Sequence, residues 1–407
     1  MKNSVVIIGG GPAGLMAAEQ ILQAGFKVDL YDAMPTVGRK FLLAGIGGLN
    51  ITHSEPFETF ITRYGTSQAQ LTPLLRAFDN QALRQWCHDL GITTFIGTSG
   101  RVFPQEMKAA PLLRAWLARL KRQGLQLHPR HRWLGWNDTN EIVLQNPEQI
   151  VTRPYAALVL ALGGASWKKL GSDGAWYTVL AAKGVKLSPF KPSNCGFLVN
   201  WSTYLTEQCA GHPIKAITLT FTDFQGQIET RKGELMLTER GVEGSLMYAF
   251  SARIRDAIEA YGKATFYLDL CPDYTESQLL KILQAKPHTK TWGAYFKSKL
   301  RLDRAKTALI FESLPKEAST PLICQWLKHC PVTTHATTPL DEAISTAGGI
   351  CWDALDEHLQ LKVLPQVFCV GEMLDWEAAT GGYLLNACLA SGKAGGLGVV
   401  KYLKDKI

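Results

Sequence analysis

Ser4-Val5-Val6-Ile7-Ile8-Gly9-Gly10-Gly11-Pro12-Ala13-Gly14 is an apolar run that breaks directly into closely spaced glycines. Leu15-Met16-Ala17-Ala18-Glu19-Gln20-Ile21-Leu22 follows, then a second apolar stretch closing on Val28-Asp29-Leu30-Tyr31-Asp32. The order reads as strand, tight turn, helix and strand, with an acid closing the second strand. Val5 to Ile8 show no polar alternation, as a parallel strand covered on both faces requires. Gly9 permits the turn, Gly11 lets a pyrophosphate approach the backbone, and Gly14 lets the helix pack close to the sheet. Pro12 and Ala13 lie between them, at a helix start whose free N–H groups and positive dipole end stabilise phosphate. Asp32 lies eighteen residues past Gly14, at the distance of an acid that accepts ribose hydroxyls, and Ala33 follows it. A carboxylate there repels a 2′-phosphate, so the pattern suits FAD or NAD rather than NADP.

Outward from this fingerprint, the 407 residues allow two or three domains, and a 46% apolar composition is ample for a core. The chain enters its first strand without a signal-peptide pattern, and no apolar run approaches a membrane span. Nine scattered cysteines include no C-x-x-C, so neither a metal site nor a redox disulfide is signalled, and isolated thiols fit a cytoplasmic setting. The net charge is +8. Lys281, Lys286, Lys290, Lys297, Lys299, Arg301, Arg304 and Lys306 face a lone Asp303, with Trp292, Tyr295 and Phe296 among them. That stretch reads either as a nucleic-acid surface or as a solvated helical face with its aromatics turned inward.

After Asp32 a glycine-punctuated segment, 38–52, is too polar for a core helix. Helical patterns cover 71–90 and 107–123, a short hairpin falls at 137–140, and Ala156 to Leu162 read as a further buried strand ending at Gly163-Gly164. From Cys195 to about Leu270 the pattern alternates and is β-rich, except for a helix near 245–260. It turns helical and polar from Thr275, and Val367 to Val370 read as a final buried strand before a long helix from about Gly382. The expected fold is α/β: a Rossmann-like dinucleotide-binding domain (βαβ, parallel sheet) from 1–188 and 346–407. It is interrupted by a β-rich inserted domain, 189–271 with a return strand at 332–345, which itself carries a helical subdomain, 272–331. One complete fingerprint predicts one tightly held dinucleotide.

Four segments carry a family resemblance: Gly38-Arg39-Lys40-Phe41-Leu42 with Gly45-Ile46-Gly47-Gly48-Leu49-Asn50-Ile51-Thr52; Ser99-Gly100-Arg101-Val102-Phe103-Pro104; Ala161-Leu162-Gly163-Gly164-Ala165-Ser166; and Gly371-Glu372-Met373-Leu374-Asp375 with Thr380-Gly381-Gly382-Tyr383-Leu384-Leu385. With the fingerprint, they resemble flavoproteins of the glutathione-reductase-like FAD fold, and more closely the bacterial HI0933-like (YhiN/BaiN-type) flavoproteins, often described as NAD(P)/FAD-dependent oxidoreductases. Two positions depart from that family. Gly47-Gly48-Leu49-Asn50 stands where its common version has Gly-Arg-Cys-Asn, and Ala379 stands where a proline or glycine is expected.

The resemblance implies tightly bound FAD, with NAD(P)H left open as a transient electron donor. It places Gly9, Gly11 and Gly14 at the pyrophosphate and Asp32 at the adenosine ribose. Arg39 and Lys40 would meet phosphate or the flavin edge, and Asn50 and Thr52 the ring system, beside Gly45 and Gly48. Ala161, Gly163 and Gly164 end a parallel strand where ligands bind. Gly371 and Glu372 would meet the ribityl chain, and Gly381 and Gly382 start the last helix with its positive end toward the flavin pyrimidine. Catalytic candidates near these segments are Lys40, His53 and Arg101, with Lys108 and Glu377 behind them; Trp376 and Tyr383 are placed to wall the pocket, and His212 and His335 fall in the insertion. The implied activity is FAD-dependent oxidoreduction of a small organic substrate by hydride transfer, with reoxidation by dioxygen or exchange with NAD(P)H. The alternative is an FAD protein that binds or modifies tRNA through the 281–306 surface. Monomer or homo-oligomer is left open.

Overall fold

The computed structural model describes residues 4–406. They form two compact units: residues up to Lys191 together with those from Ile344 onward, and Pro192–Ala343. Each has its own apolar core. The sequence pattern put the insertion at 189–345. The strand Leu187–Ser193 pairs with Ser345–Ile350, which ties Pro189–Lys191 and Ile344–Ser345 to the first unit.

The first unit is built on a five-stranded parallel sheet. Its elements are β1 (Ser4–Ile8), α1 (Pro12–Gln23), β2 (Lys27–Asp32), α2 (Arg39–Ala44), β3 (Gln126–Pro129), β4 (Ala157–Leu160), β5 (Val367–Cys369) and α3 (Tyr383–Lys404). The strand order is β5-β4-β1-β2-β3, with Val5 opposite Ala157 on one side and Val28 on the other. β1 and β4 are buried almost throughout, as unalternating apolar strands demand. The sheet therefore takes its central strands from one end of the chain and an edge strand from the other.

Glycine brings the two ends together. On α3, a Cβ at Gly392 would lie 2.3 Å from the Ala13 carbonyl oxygen and one at Gly396 2.8 Å from that of Ala17. Only residues without side chains let α3 lie directly on α1. Gly395-Gly396-Leu397-Gly398, which carries no second fingerprint, is thus part of a helix-packing surface.

Two expectations change in detail. The 38–52 segment contains the short helix α2, started by Gly38 in the left-handed region and burying only Phe41. The 71–90 pattern is two helices, Gln68–Ala77 and Asn80–Asp89, because the Asp79 side chain accepts from Ala82 N–H and caps a new start.

The second unit is a seven-stranded antiparallel sheet whose long hairpin, Pro213–Thr222 with Ile228–Thr238, runs beside Ala264–Asp269 and Cys330–Thr334. The helix Ser245–Tyr261 buries Leu246, Met247, Phe250 and Ile254. Four further helices follow between Glu276 and Lys328. In the basic stretch Tyr295 and Phe296 are buried while Lys297, Lys299 and Arg301 are exposed. Among the described residues no helix is long and apolar enough to cross a membrane, and no His, Cys, Asp or Glu cluster has metal-holding geometry.

Candidate dinucleotide-binding cleft

The carboxyl ends of β1, β2, β4 and β5 open into one cleft of about 1040 Å³, its mouth included. This is the edge at which ligands bind in open parallel sheets. Gly9 to Ala13, Asp32, Ala33, Arg39, Lys40, Ala161, Gly163, Gly371 and Glu372 line it, so residues from both chain ends converge. Gly9 has φ +105, and a Cβ there would lie 2.2 Å from the Ala161 carbonyl oxygen. Gly14 stands behind the turn, where a Cβ would strike the Gly9 carbonyl. At Gly11 a Cβ would have no neighbour within 4 Å.

Asp32 stitches the glycine turn to β2. Gly10 N–H donates to its Oδ2 at 2.7 Å and Met34 N–H to its Oδ1 at 2.8 Å. Burial pushes the Asp32 carboxyl above its ordinary value, with these two N–H groups and Arg39 pulling the other way. At the other end, Lys40 Nζ donates to both Glu372 oxygens, at 3.0 and 2.8 Å, and to Ser166 Oγ at 2.9 Å. Glu372 Oε1 also accepts from Thr346 N–H at 3.1 Å, and the carboxylate is buried. This network pins α2 to the end of β5. Cys388 lines the cleft nearby, its thiol pushed up by burial.

Three buried side-chain polar atoms have no hydrogen-bond partner among the described residues: Arg39 Nε, Trp133 Nε1 and Ser172 Oγ. All three residues line this cleft. Buried donors are ordinarily satisfied, and leaving one unmade costs about 1–3 kcal/mol. The three residues that carry them converge on one concave surface, which with open space at Gly11 and a helix start beside it fits an elongated polar ligand carrying negative charge. These residues therefore fit a dinucleotide such as FAD. Trp133 and Ser172 were not legible from sequence, since neither stands in a glycine motif; the strand ends preceding them were the only signal.

The remaining residues expected at the site lie outside this cleft. Gly164 abuts Thr346, Gly45 abuts Ala109, and Gly48 sits under Met107. Asn50 Nδ2 donates to the carbonyls of Thr52 and Val102, and the buried Thr52 hydroxyl donates to Asn386 Oδ1 at 2.7 Å. Both side chains brace the protein itself. Gly382 starts α3 against the Thr52 backbone, and the helix start has no side-chain cap.

Around that start lies a second polar cluster. Tyr383 donates to Glu55 Oε1 at 2.7 Å, and Arg63 grips both Glu55 oxygens, at 3.0 and 2.8 Å. Burial works to raise the Glu55 carboxyl, but Arg63 and Tyr383 together hold it below its ordinary value; burial and Glu55 push the Tyr383 hydroxyl well up. His53 stacks on Tyr383 at 5.7 Å between centroids. Its Nδ1 accepts from Glu55 N–H and its Nε2 meets the Ser99 carbonyl. Both ring nitrogens are thus engaged by backbone, and Lys40 is engaged by Glu372. Arg101 pairs with His53 across a small antiparallel sheet and makes no ion pair among the described residues. Lys108 is exposed ahead of the helix Ala109–Arg122, and Trp376 is buried, donating to the Gly371 carbonyl.

A sequence profile described as HI0933-like protein Rossmann domain matches residues 3–398. The 3-dehydro-bile acid delta(4,6)-reductase of Clostridium scindens is 24% identical over 97% of this chain and 98% of its own. The ribosomal RNA dihydrouridine synthase of Haemophilus influenzae is 21% identical over 93% of this chain and 94% of its own. Among solved structures, the 3-ketosteroid-delta4-(5alpha)-dehydrogenase of Rhodococcus jostii RHA1 superposes with a TM-score of 0.52 at 14% identity, covering 98% of this chain and 97% of the other. That likeness establishes a shared fold.

Proposed function

The chain belongs to the HI0933-like family, and from that premise we propose that it is an FAD-dependent oxidoreductase that adds hydrogen across a ring carbon–carbon double bond conjugated to a carbonyl. The observation that carries the cofactor is the convergence of Arg39, Trp133 and Ser172, each with an unpaired buried atom, on the cleft that Asp32 and the glycine turn also line. Gly9 to Ala13 and the α1 start would meet the pyrophosphate, Asp32 the adenosine ribose, and Arg39, Trp133 and Ser172 would line the remaining edge.

Bound FAD would supply the two-electron chemistry, taking hydride from one partner and giving it to another. The two relatives named above are called a reductase and a dihydrouridine synthase, which supports the reductive direction, for which NAD(P)H is the proposed donor. The oxidase reading, with dioxygen as acceptor, is the other outcome of the test. Lys40 and Glu372 hold α2 in place, and His53 braces its loop. Arg101, without a carboxylate partner, is the candidate that grips a substrate carbonyl or carboxylate. The unpaired N–H groups at the start of α3 favour negative charge developing beside them.

The substrate has two readings. A small free ring ketone follows the Clostridium relative. A uracil carried in RNA follows the Haemophilus relative and the basic 281–306 stretch. The test begins with the visible spectrum of the purified protein and of apoprotein titrated with FAD. Anaerobic mixing with NADPH or NADH should then bleach the flavin band. A colourless protein that takes up no FAD overturns the cofactor. A flavin that NAD(P)H leaves oxidised, and that a ring ketone substrate reduces, overturns the reductive direction.

A further inference from the structure

A second concavity, about 1020 Å³ with its mouth included, lies wholly within the inserted unit. The helices Thr203–Cys209 and Arg304–Ser313 and the turn before the latter shape it. Two large aromatic rings are partly exposed on it: Tyr204 is 57% exposed and Phe311, stacked on its inner side against Phe296, 45%. Lys297 and Arg304 line it as well. The backbone from Phe296 to Leu300 winds as a π-helical turn and ends at Arg301 in the left-handed region, φ 54. That turn buries Phe296 and Leu300 and leaves Lys297, Lys299 and Arg301 exposed. Such turns recur at functional sites.

The charges of this concavity and of the turn that adjoins it are unequally occupied. Asp303 accepts from Lys306 N–H at 2.8 Å as the cap of its helix, and Glu312 accepts from Ser202 N–H at 2.5 Å and Ser202 Oγ at 2.7 Å. Both acids serve the protein. Lys297, Lys299 and Arg301 pair with no carboxylate among the described residues, and Arg304 lies over the Tyr204 ring at 5.9 Å and donates to Gln208. Lys306 takes no part, since it donates to the Ala216 and Leu270 carbonyls. Residues 281–306 hold eight Lys and Arg against one acid, whereas the rest of Pro192–Ala343 holds more acids than bases. Cations that track a backbone, interleaved with open ring faces, are the arrangement that holds a single strand by phosphate contact and base stacking.

We propose that this concavity binds single-stranded RNA, with Lys297 and Arg304 of its lining and the exposed Lys299 and Arg301 of the adjoining turn on phosphates, and Tyr204 and Phe311 stacked on bases. The inference rests on the RNA-borne reading of the substrate and names its docking surface. It replaces the inward-turned Tyr295 and Phe296 with two rings outside the basic stretch.

The test is fluorescence anisotropy of a labelled uridine-rich single-stranded 12-mer RNA with the full, FAD-treated chain. Four phosphate contacts predict binding about 50-fold weaker at 200 mM than at 50 mM salt. Tyr204→Ala with Phe311→Ala should weaken binding about tenfold or more at every salt concentration and leave the slope unchanged. Lys297→Gln with Arg301→Gln should weaken binding at low salt and flatten the slope. Circular dichroism and the thermal midpoint report folding, and single Lys297→Gln serves if a double variant does not fold. RNA bound equally by all variants overturns this surface while leaving RNA as a substrate carrier. No binding by the wild-type chain at 50 mM salt overturns both, while a retained flavin spectrum keeps the cofactor reading. Unchanged affinity in the ring variant, with equal competition by heparin, a polyanion without bases, also overturns the proposal, because a plain polyanion surface needs no bases.

Discussion

Gly11 separates the stability of this fold from its capacity to hold a ligand. Its backbone is in the ordinary extended region, and a Cβ there meets nothing within 4 Å. Gly11→Ala should leave apoprotein stability within about 0.5 kcal/mol yet weaken FAD binding roughly tenfold or more through overpacking against the ligand. Parallel thermal melts and FAD titrations check both halves. Asp32→Asn should weaken FAD by roughly 10- to 100-fold, the range for a hydrogen bond to a charged group. Because burial raises the Asp32 carboxyl, its contribution to apoprotein stability is present below the ordinary carboxylate value and is lost as pH rises through the raised one. Ribose hydroxyls donate best to the ionised form, so FAD affinity should climb with pH across that window and stay flat in Asp32→Asn. Glu55 has the opposite sign. Its lowered carboxyl contributes stability above its ordinary value, which is lost as pH falls through the folded one. Glu55→Gln should cost about 1–2 kcal/mol at neutral pH and flatten the acid limb of the stability profile.

At the level of elements, the βαβ start was legible because each of its instructions is local. An unalternating strand, a glycine turn and a helix with Ala13, Ala17 and Ala18 on its buried face lie within consecutive residues. The two helices of 68–89 read as one, since apolar periodicity runs through the Phe78–Asp79 break and only the Asp79 cap reveals it. Gly392 and Gly396 of α3 are explained only by α1, which lies against them. Gly392→Val should destabilise the first unit by about 2–3 kcal/mol or more, since its side chain would meet the Ala13 backbone rather than a flexible neighbour. Gly47→Ala, with open space around it, is the matched control; denaturant midpoints of the two should differ accordingly.

On the scale of the whole molecule, two separate cores imply two separable unfolding events. All residues that line the candidate dinucleotide cleft belong to the first unit. FAD at a hundredfold excess over its dissociation constant should raise that unit's stability by about 2.7 kcal/mol and leave the other transition in place, as calorimetry with and without FAD would show. Both transitions moving together would mean that the cofactor is held by more than this cleft.

The amino-acid order alone determined the Rossmann-like βαβ start, the position of its acid at Asp32 and the use of both chain ends, because turn stereochemistry, helix starts and strand burial are written in neighbouring residues. Only the tertiary structure decided that Trp133 and Ser172 face the same cleft, that Lys40 is held by Glu372 from the far end of the chain, and that His53 is engaged by backbone. Those facts depend on which distant groups packing brings within hydrogen-bond reach. No local pattern encodes them, because the same side chain serves catalysis or bracing according to the partner that the fold sets beside it.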